Sequence, residues 1–232
     1  MSIALQLEGR HLLSTSTPMV KFAMLEKARR KGDETRERIL AVAESAVLAK
    51  GFSATSIEEI IAEVGITKSG FFYHFKDKGE LAKGLLVRYL DRDTLLLDEI
   101  FRRGDELHTD PLHGFLIALK LFAEMMSDLP KAHPGCLAAS FAYQDQLFNR
   151  EIRELNAGGV LAWRKRFRAK FEEISESYPP KQEIDLDALA DMAATLVEGG
   201  LVIGRLLRDM SVLPQQILLY RDYIQAVFAR RA

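Results

Sequence analysis

The chain has 232 residues, 48% apolar and 28% charged, with 32 basic against 33 acidic side chains and a formal net charge of −1. That balance belongs to a globular chain of one or two domains, and it excludes a uniformly basic nucleic-acid coat or a polycationic membrane binder. A single cysteine, Cys136, excludes an intramolecular disulfide and a multi-cysteine zinc site, and no apolar run reaches the roughly 18 residues that span a bilayer.

The charge is unevenly spread. Residues 1–31 hold Arg10, Lys21, Lys27, Arg29, Arg30 and Lys31 against Glu8 and Glu26, a net of +4, while 32–80 are net −3 and the remainder net −2. With the polar string Ser-Thr-Ser-Thr-Pro at 14–18, residues 1–31 are expected to form a disordered basic arm. The first residues lack the continuous apolar core of a signal peptide, so a cytoplasmic protein is expected.

From Pro18 to Pro111 there is no proline, and the apolar spacing is helical. Ile39, Val42, Ala43, Ala46 and Val47 make one stripe. Its helix begins at Asp33 or Thr35 and ends at Lys50, with Gly51 following. Ile57, Ile60, Ile61 and Val64 repeat the pattern over two turns, with Ser56 and Glu59 in capping-box spacing and Gly65 as the stop. A third short helix opens at Thr67 or Lys68 and runs through His74. A fourth starts near Asp77–Lys78 and reaches about Arg103. Prolines then separate helices over roughly 112–128, 135–149, 152–177, 185–209 and 214–229. No sustained period-2 alternation occurs. The expected fold is all-α, with an N-terminal three-helix bundle over 32–80 and a larger helical domain over 81–232.

Two short helices separated by a glycine turn describe a helix-turn-helix, whose second helix enters the major groove with its N-terminal residues at base edges. Here that end is Thr67, Lys68, Ser69 and Gly70. Residues 67–78 carry Lys68, Lys76 and Lys78 against Asp77 alone, net +2. Phe71 and Phe75, four apart, are assigned to the core. Glu58, Glu59 and Glu63 are expected to face away from phosphates, which repel them.

The run Gly51-Phe52, Thr55-Ser56-Ile57, Ile60-Ile61, Val64-Gly65-Ile66 and then Thr67-Lys-Ser-Gly-Phe-Phe-Tyr-His-Phe-Lys-Asp-Lys78 with Leu81 closely resembles the DNA-binding domain of TetR/AcrR transcriptional regulators. The resemblance implies an all-helical homodimer, in most members a repressor released from a palindromic double-stranded operator by a small molecule. It implies base reading by Thr67, Lys68, Ser69 and Gly70, and an apolar or thymine-methyl contact by Phe72. Phosphate contacts are implied for Tyr73, His74 and Lys78, with Thr55 and Ser56 abutting the DNA backbone.

The larger domain is rich in aromatic residues. Phe115, Leu119 and Phe122 lie on one helical stripe, which serves either as a pocket wall or as core. With Cys136, Ser140, Tyr143, Gln144 and Trp163 they are the candidate lining for a mostly apolar ligand. The segment 185–209 is apolar on more than one face, so it is buried on more than one face. Gly200 and Gly204 leave a smooth surface there, and by the resemblance this helix and 152–177 form a four-helix dimer interface. A rival reading is a metal or thiol sensor built on His133 and Cys136, with His108 and His113 as further ligands. Another is a helical interaction protein that has lost DNA binding. No phosphate loop, nucleophile elbow or HExxH helix is present, so neither an enzyme nor a cofactor is expected.

Overall fold

The computed structural model of the chain describes residues 31–128 and 135–228. The basic arm lies outside them, save for Lys31 at the start of the first helix, and so does His133. Among the described residues the regular structure is helical throughout: α1 Lys31–Lys50, α2 Ile57–Val64, α3 Lys68–His74, α4 Lys78–Leu107, α5 Pro111–Ser127, α6 Leu137–Ala142, α7 Arg150–Ser177, α8 Leu186–Leu207 and α9 Val212–Phe228. They fall into two compact units, one ending at Leu85 and one beginning at Leu86.

In the first unit the apolar stripe of α1 supplies Ile39, Leu40, Ala43 and Val47. Phe52, Ile60, Val64, Phe71, Phe75, Leu81, Ala82 and Leu85 complete a core of buried side chains. Gly51 and Gly65 take φ values of 87° and 72°, which side chains avoid, and the latter closes α2 through its N–H to Ile61 O at 3.0 Å. Arg38 donates to Val64 O at 2.6 Å, holding the C-terminus of α2 against α1.

In the second unit α9 packs on α5 and α8, and α7 packs on α8, α5 and α6. Its centre is a chain of rings. Phe167 lies 5.2 Å from Phe101, 5.9 Å from Phe115 and 5.7 Å from Trp163, and Phe171 lies 5.5 Å from Phe115 and 6.0 Å from Phe228. Around this apolar centre α7 is tied on two sides by polar bonds. Trp163, Arg166 and Lys170 meet Asp93, Asp98 and Asp105 of α4. Arg164 and Arg168 meet Asp191 and Asp187 of α8.

Three expected boundaries move. The helix expected to stop near Arg103 continues to Leu107, because Gly104 is a crossing point and not a terminator: a Cβ there would stand 2.4 Å from Gly114 O of α5. The helix expected over 135–149 is cut to Leu137–Ala142 followed by a single 3-10 turn at Asp145–Leu147. Phe141 and Phe148 stack at 4.4 Å, whereas seven residues of straight helix would hold them about 10 Å apart. Asn149 then caps α7 by accepting from Ile152 N at 3.0 Å. Pro214, expected between helices, sits in the first turn of α9, where a missing N–H costs nothing.

Candidate nucleic-acid interface and effector region

Local chemistry sets both helices of the reading unit. Ser56 accepts from Glu59 N at 3.1 Å to cap α2, and Thr67 accepts from Gly70 N at 3.0 Å to cap α3. Burial then sorts the side chains of α3. Phe71 and Phe75 are turned inward, whereas Phe72 is 40% and Tyr73 82% exposed. Thr67, Lys68 and Ser69 are exposed, with Gly70 and His74 half-buried. The Tyr73 ring meets the His74 ring edge-on at 5.0 Å. Lys78, at the start of α4, lies over the Phe52 ring at 4.7 Å and donates to Ser53 O at 3.3 Å; burial lowers its pKa.

Two expectations for this face are corrected. Thr55 is 1% exposed and donates its hydroxyl to Gly51 O at 2.9 Å, so it holds the loop and has no surface to offer a phosphate. Glu58 does not turn away from the reading helix: its carboxylate lies 3.7 Å from the Lys68 ammonium. Glu59 is held instead by Lys50, at 2.7 and 2.5 Å, and that contact lowers its pKa.

A short helix anchored by a buried ring and aiming an exposed polar and aromatic edge outward, after a glycine turn from a capped first helix, defines a helix-turn-helix DNA-binding protein. A family model described as bacterial regulatory proteins, tetR family, matches residues 39–85, the stretch that contains both helices. Transcriptional regulator AcuR of Cereibacter sphaeroides is 24% identical over 160 residues, 68% of this chain and 70% of the relative. The HTH-type transcriptional repressor BepR of Brucella suis is 29% identical over 105 residues, 43% of this chain and 48% of the relative. A TetR transcriptional regulator from Chloroflexus aurantiacus superposes with a TM-score of 0.69 at 26% identity, covering 85% of this chain and 97% of that one. Residues 39–85 thus match the DNA-binding unit of tetR-family regulators, and the chain is similar beyond that unit to TetR transcriptional regulators. Among the described residues no helix is long and apolar enough to cross a membrane.

In the second unit the expected pocket residues separate. Phe115, Leu119 and Phe122 are buried, and Phe122 meets Trp163 at 6.3 Å; this stripe is filled core, not a pocket wall. Trp163 is fixed by its N–H bond to Asp93. Ser140 and Gln144 are half-buried. Tyr143 is 76% exposed and borders an open depression of about 530 Å³ with Ala194, Thr195, Glu198, Gly199, Val202 and Ile203. Sequence reasoning did not single out Glu198; one acidic residue in the apolar middle of α8 was the available signal.

Behind the depression, Cys136 hydrogen-bonds Glu198 and accepts from Tyr89 OH at 3.2 Å. Its sulfur also caps α6, accepting from Ala139 N at 3.5 Å. A helix N-terminus lowers a thiol pKa, yet here burial first and the Glu198 charge second push it up to about 11. This weakens the thiol-sensor reading, because the reactive thiolate is scarce at neutral pH. Native Cys136 is expected to react with iodoacetamide at pH 8 at least about 100-fold more slowly than in urea, since two pH units separate about 11 from an ordinary thiol near 9. Equal rates, followed by mass spectrometry, would contradict this.

His108 and His113 stack at 5.0 Å and meet Asp110 in a group that does not include Cys136. The contacts are those of a helix start. Asp110 accepts from His113 N at 2.9 Å and from His113 Nδ1 at 2.7 Å. It also accepts from Tyr178 OH at 2.5 Å and donates its own N–H to His108 Nδ1 at 3.1 Å.

Gly200 and Gly204, expected at a dimer interface, face inward. A Cβ on Gly200 would stand 2.9 Å from Leu213 Cδ1, and one on Gly204 3.0 Å from Asp209 O, so Gly200 serves the approach of α9 and Gly204 the tight turn that leads into it. The exposed apolar side chains of α8 are Val202, Ile203, Leu206 and Leu207, with Leu219 and Tyr223 on α9.

Proposed function

We propose that the protein is a homodimeric repressor that holds a palindromic operator with two copies of α3, and that a small, mostly apolar ligand releases it. The observation that carries this reading is the division of α3 into a buried Phe71 and Phe75 side and an exposed Lys68, Ser69, Phe72 and Tyr73 edge. Thr67, Lys68, Ser69 and Gly70 read base edges, and Phe72 meets a thymine methyl. Ser56, Tyr73, His74 and Lys78 contact phosphates, with the N-terminus of α4 adding backbone donors. The name of the Brucella suis relative as a repressor supports the direction of control. The exposed apolar residues of α8 and α9 support a dimer, which would space the reading helices about 34–36 Å apart for successive major grooves.

Ligand control rests on α4. It is one helix from Lys78 past Tyr89, and Tyr89 is joined through Cys136 to Glu198 at the depression. A ligand acts only by binding the two states unequally, so inducer and operator must weaken each other by the same factor.

The test is fluorescence anisotropy with duplexes from the region upstream of the protein's own gene, beside sedimentation equilibrium at micromolar concentration. Specific binding by a dimer at moderate salt is expected; a folded monomer, or no preferred duplex, would overturn the reading. Lys78→Ala is expected to weaken all duplexes by a common factor and to lower the salt slope by about one counterion per subunit. A change of sequence preference instead would remove Lys78 from the phosphate contacts.

A further inference from the structure

The first turn of α2 carries two adjacent carboxylates with different surroundings. Glu59 is neutralised by Lys50 through two hydrogen bonds. Glu58 projects toward α3, where its oxygen lies 3.7 Å from the Nζ of Lys68, the first residue of that helix. The two side chains are 72% and 69% exposed. An ion pair so open to water contributes little to the fold, and neither group is held back from what approaches α3. A carboxylate at this place opposes phosphate. What it can accept is a donor, and the major groove offers one beside guanine: the N4 amino group of cytosine.

We infer that Glu58 and Lys68 together read one G·C base pair, Glu58 accepting from cytosine N4 and Lys68 donating to guanine O6 and N7. This rests on the reading in which the N-terminus of α3 enters the major groove. The spacing suits the task, because O6 and N4 of one pair are hydrogen-bonded to each other and stand about 3 Å apart, close to the 3.7 Å between carboxylate and ammonium. Reversing the pair sets carboxylate against O6 and ammonium against an amino group. Replacing it by T·A removes the N7 acceptor from the lysine's side and brings adenine N7 toward the carboxylate. Glu58 thereby opposes non-specific DNA and favours one base, so a single residue serves discrimination twice.

The test uses the full-length protein and duplexes selected from a randomised library, with each G·C of the selected site then replaced in turn. At one position per half-site the unmodified protein is expected to prefer G·C over C·G by about tenfold. Glu58→Ala should weaken that preference at that position alone, leaving the part Lys68 supplies, and tighten unrelated DNA. Glu58→Gln should move the preference from cytosine toward adenine, which offers an amide both a donor and an acceptor. Circular dichroism of both variants establishes that they are folded. Uniform tightening of every duplex, with the preference unchanged, would overturn the inference and leave Glu58 as a simple repulsive charge. If the unmodified protein prefers no duplex at all, the DNA-binding reading falls, and this assignment with it.

Discussion

Phe71→Ala is expected to unfold the reading unit and abolish specific DNA binding. Phe71 is fully buried, lies 5.4 Å from Phe72 and 5.8 Å from Phe75, and anchors a helix of only seven residues. So short a helix is not stable alone, so its place depends on this anchor. Removing a buried phenylalanine costs about 3–5 kcal/mol, most of the stability available to so small a unit. Phe72→Ala, next along the chain but 40% exposed, is the control: the unit should stay folded while affinity for DNA falls. Urea unfolding followed by circular dichroism, beside anisotropy with operator DNA, separates the two. A folded Phe71→Ala variant with undiminished stability would mean that the ring is not the anchor described.

The second large effect is expected at Gly104. The Cβ of alanine there would stand 2.4 Å from the backbone oxygen of Gly114 and 2.8 Å from Ala118 Cβ. Neither is the end of a flexible side chain, so α4 and α5 would have to separate. Overpacking of this kind costs about 1–3 kcal/mol, and a backbone oxygen this close places Gly104→Ala at or above the upper end. The better helix propensity of alanine returns about 1 kcal/mol. The net loss of about 2 kcal/mol corresponds to a fall in Tm of roughly 4–8 °C for a unit of this size. Gly158→Ala in α7 has the opposite expected sign, because nothing stands within 4 Å of its Cβ and only the propensity gain remains. Scanning calorimetry of the two variants tests both signs, and a neutral or stabilising Gly104→Ala would contradict the close helix crossing.

The net charge of −1 tells against a nucleic-acid partner only while it is treated as uniform. The cations proposed to meet DNA are few and local, and a carboxylate stands among them. A moderate salt dependence is therefore expected, set by a handful of phosphate contacts per subunit.

Local signals in the sequence determined the helical fold and the helix-turn-helix. The stripe Ile39, Val42, Ala43, Ala46 and Val47, the Ser56 and Thr67 caps and the Gly51 and Gly65 stops act within one or two turns, so residue type and spacing suffice to place them. What depended on distant partners was left to the tertiary structure. The helix expected to end near Arg103 continues through Gly104 because Gly114 approaches it from another helix. Thr55 reads as a phosphate ligand until burial turns its hydroxyl to Gly51. Cys136 reads as an activated thiol at a helix start until burial and Glu198, 62 residues away in sequence, outweigh the helix end. Phe115 and Phe122 could be wall or core until the rings from α4 and α7 fill the space beside them. Gly200 faces Leu213 of α9, and Gly204 the turn at Asp209 and Met210, because the loop after α8 returns the chain at once. In each case the outcome depends on atoms brought close by folding, for which neighbouring residues in the chain carry no signal.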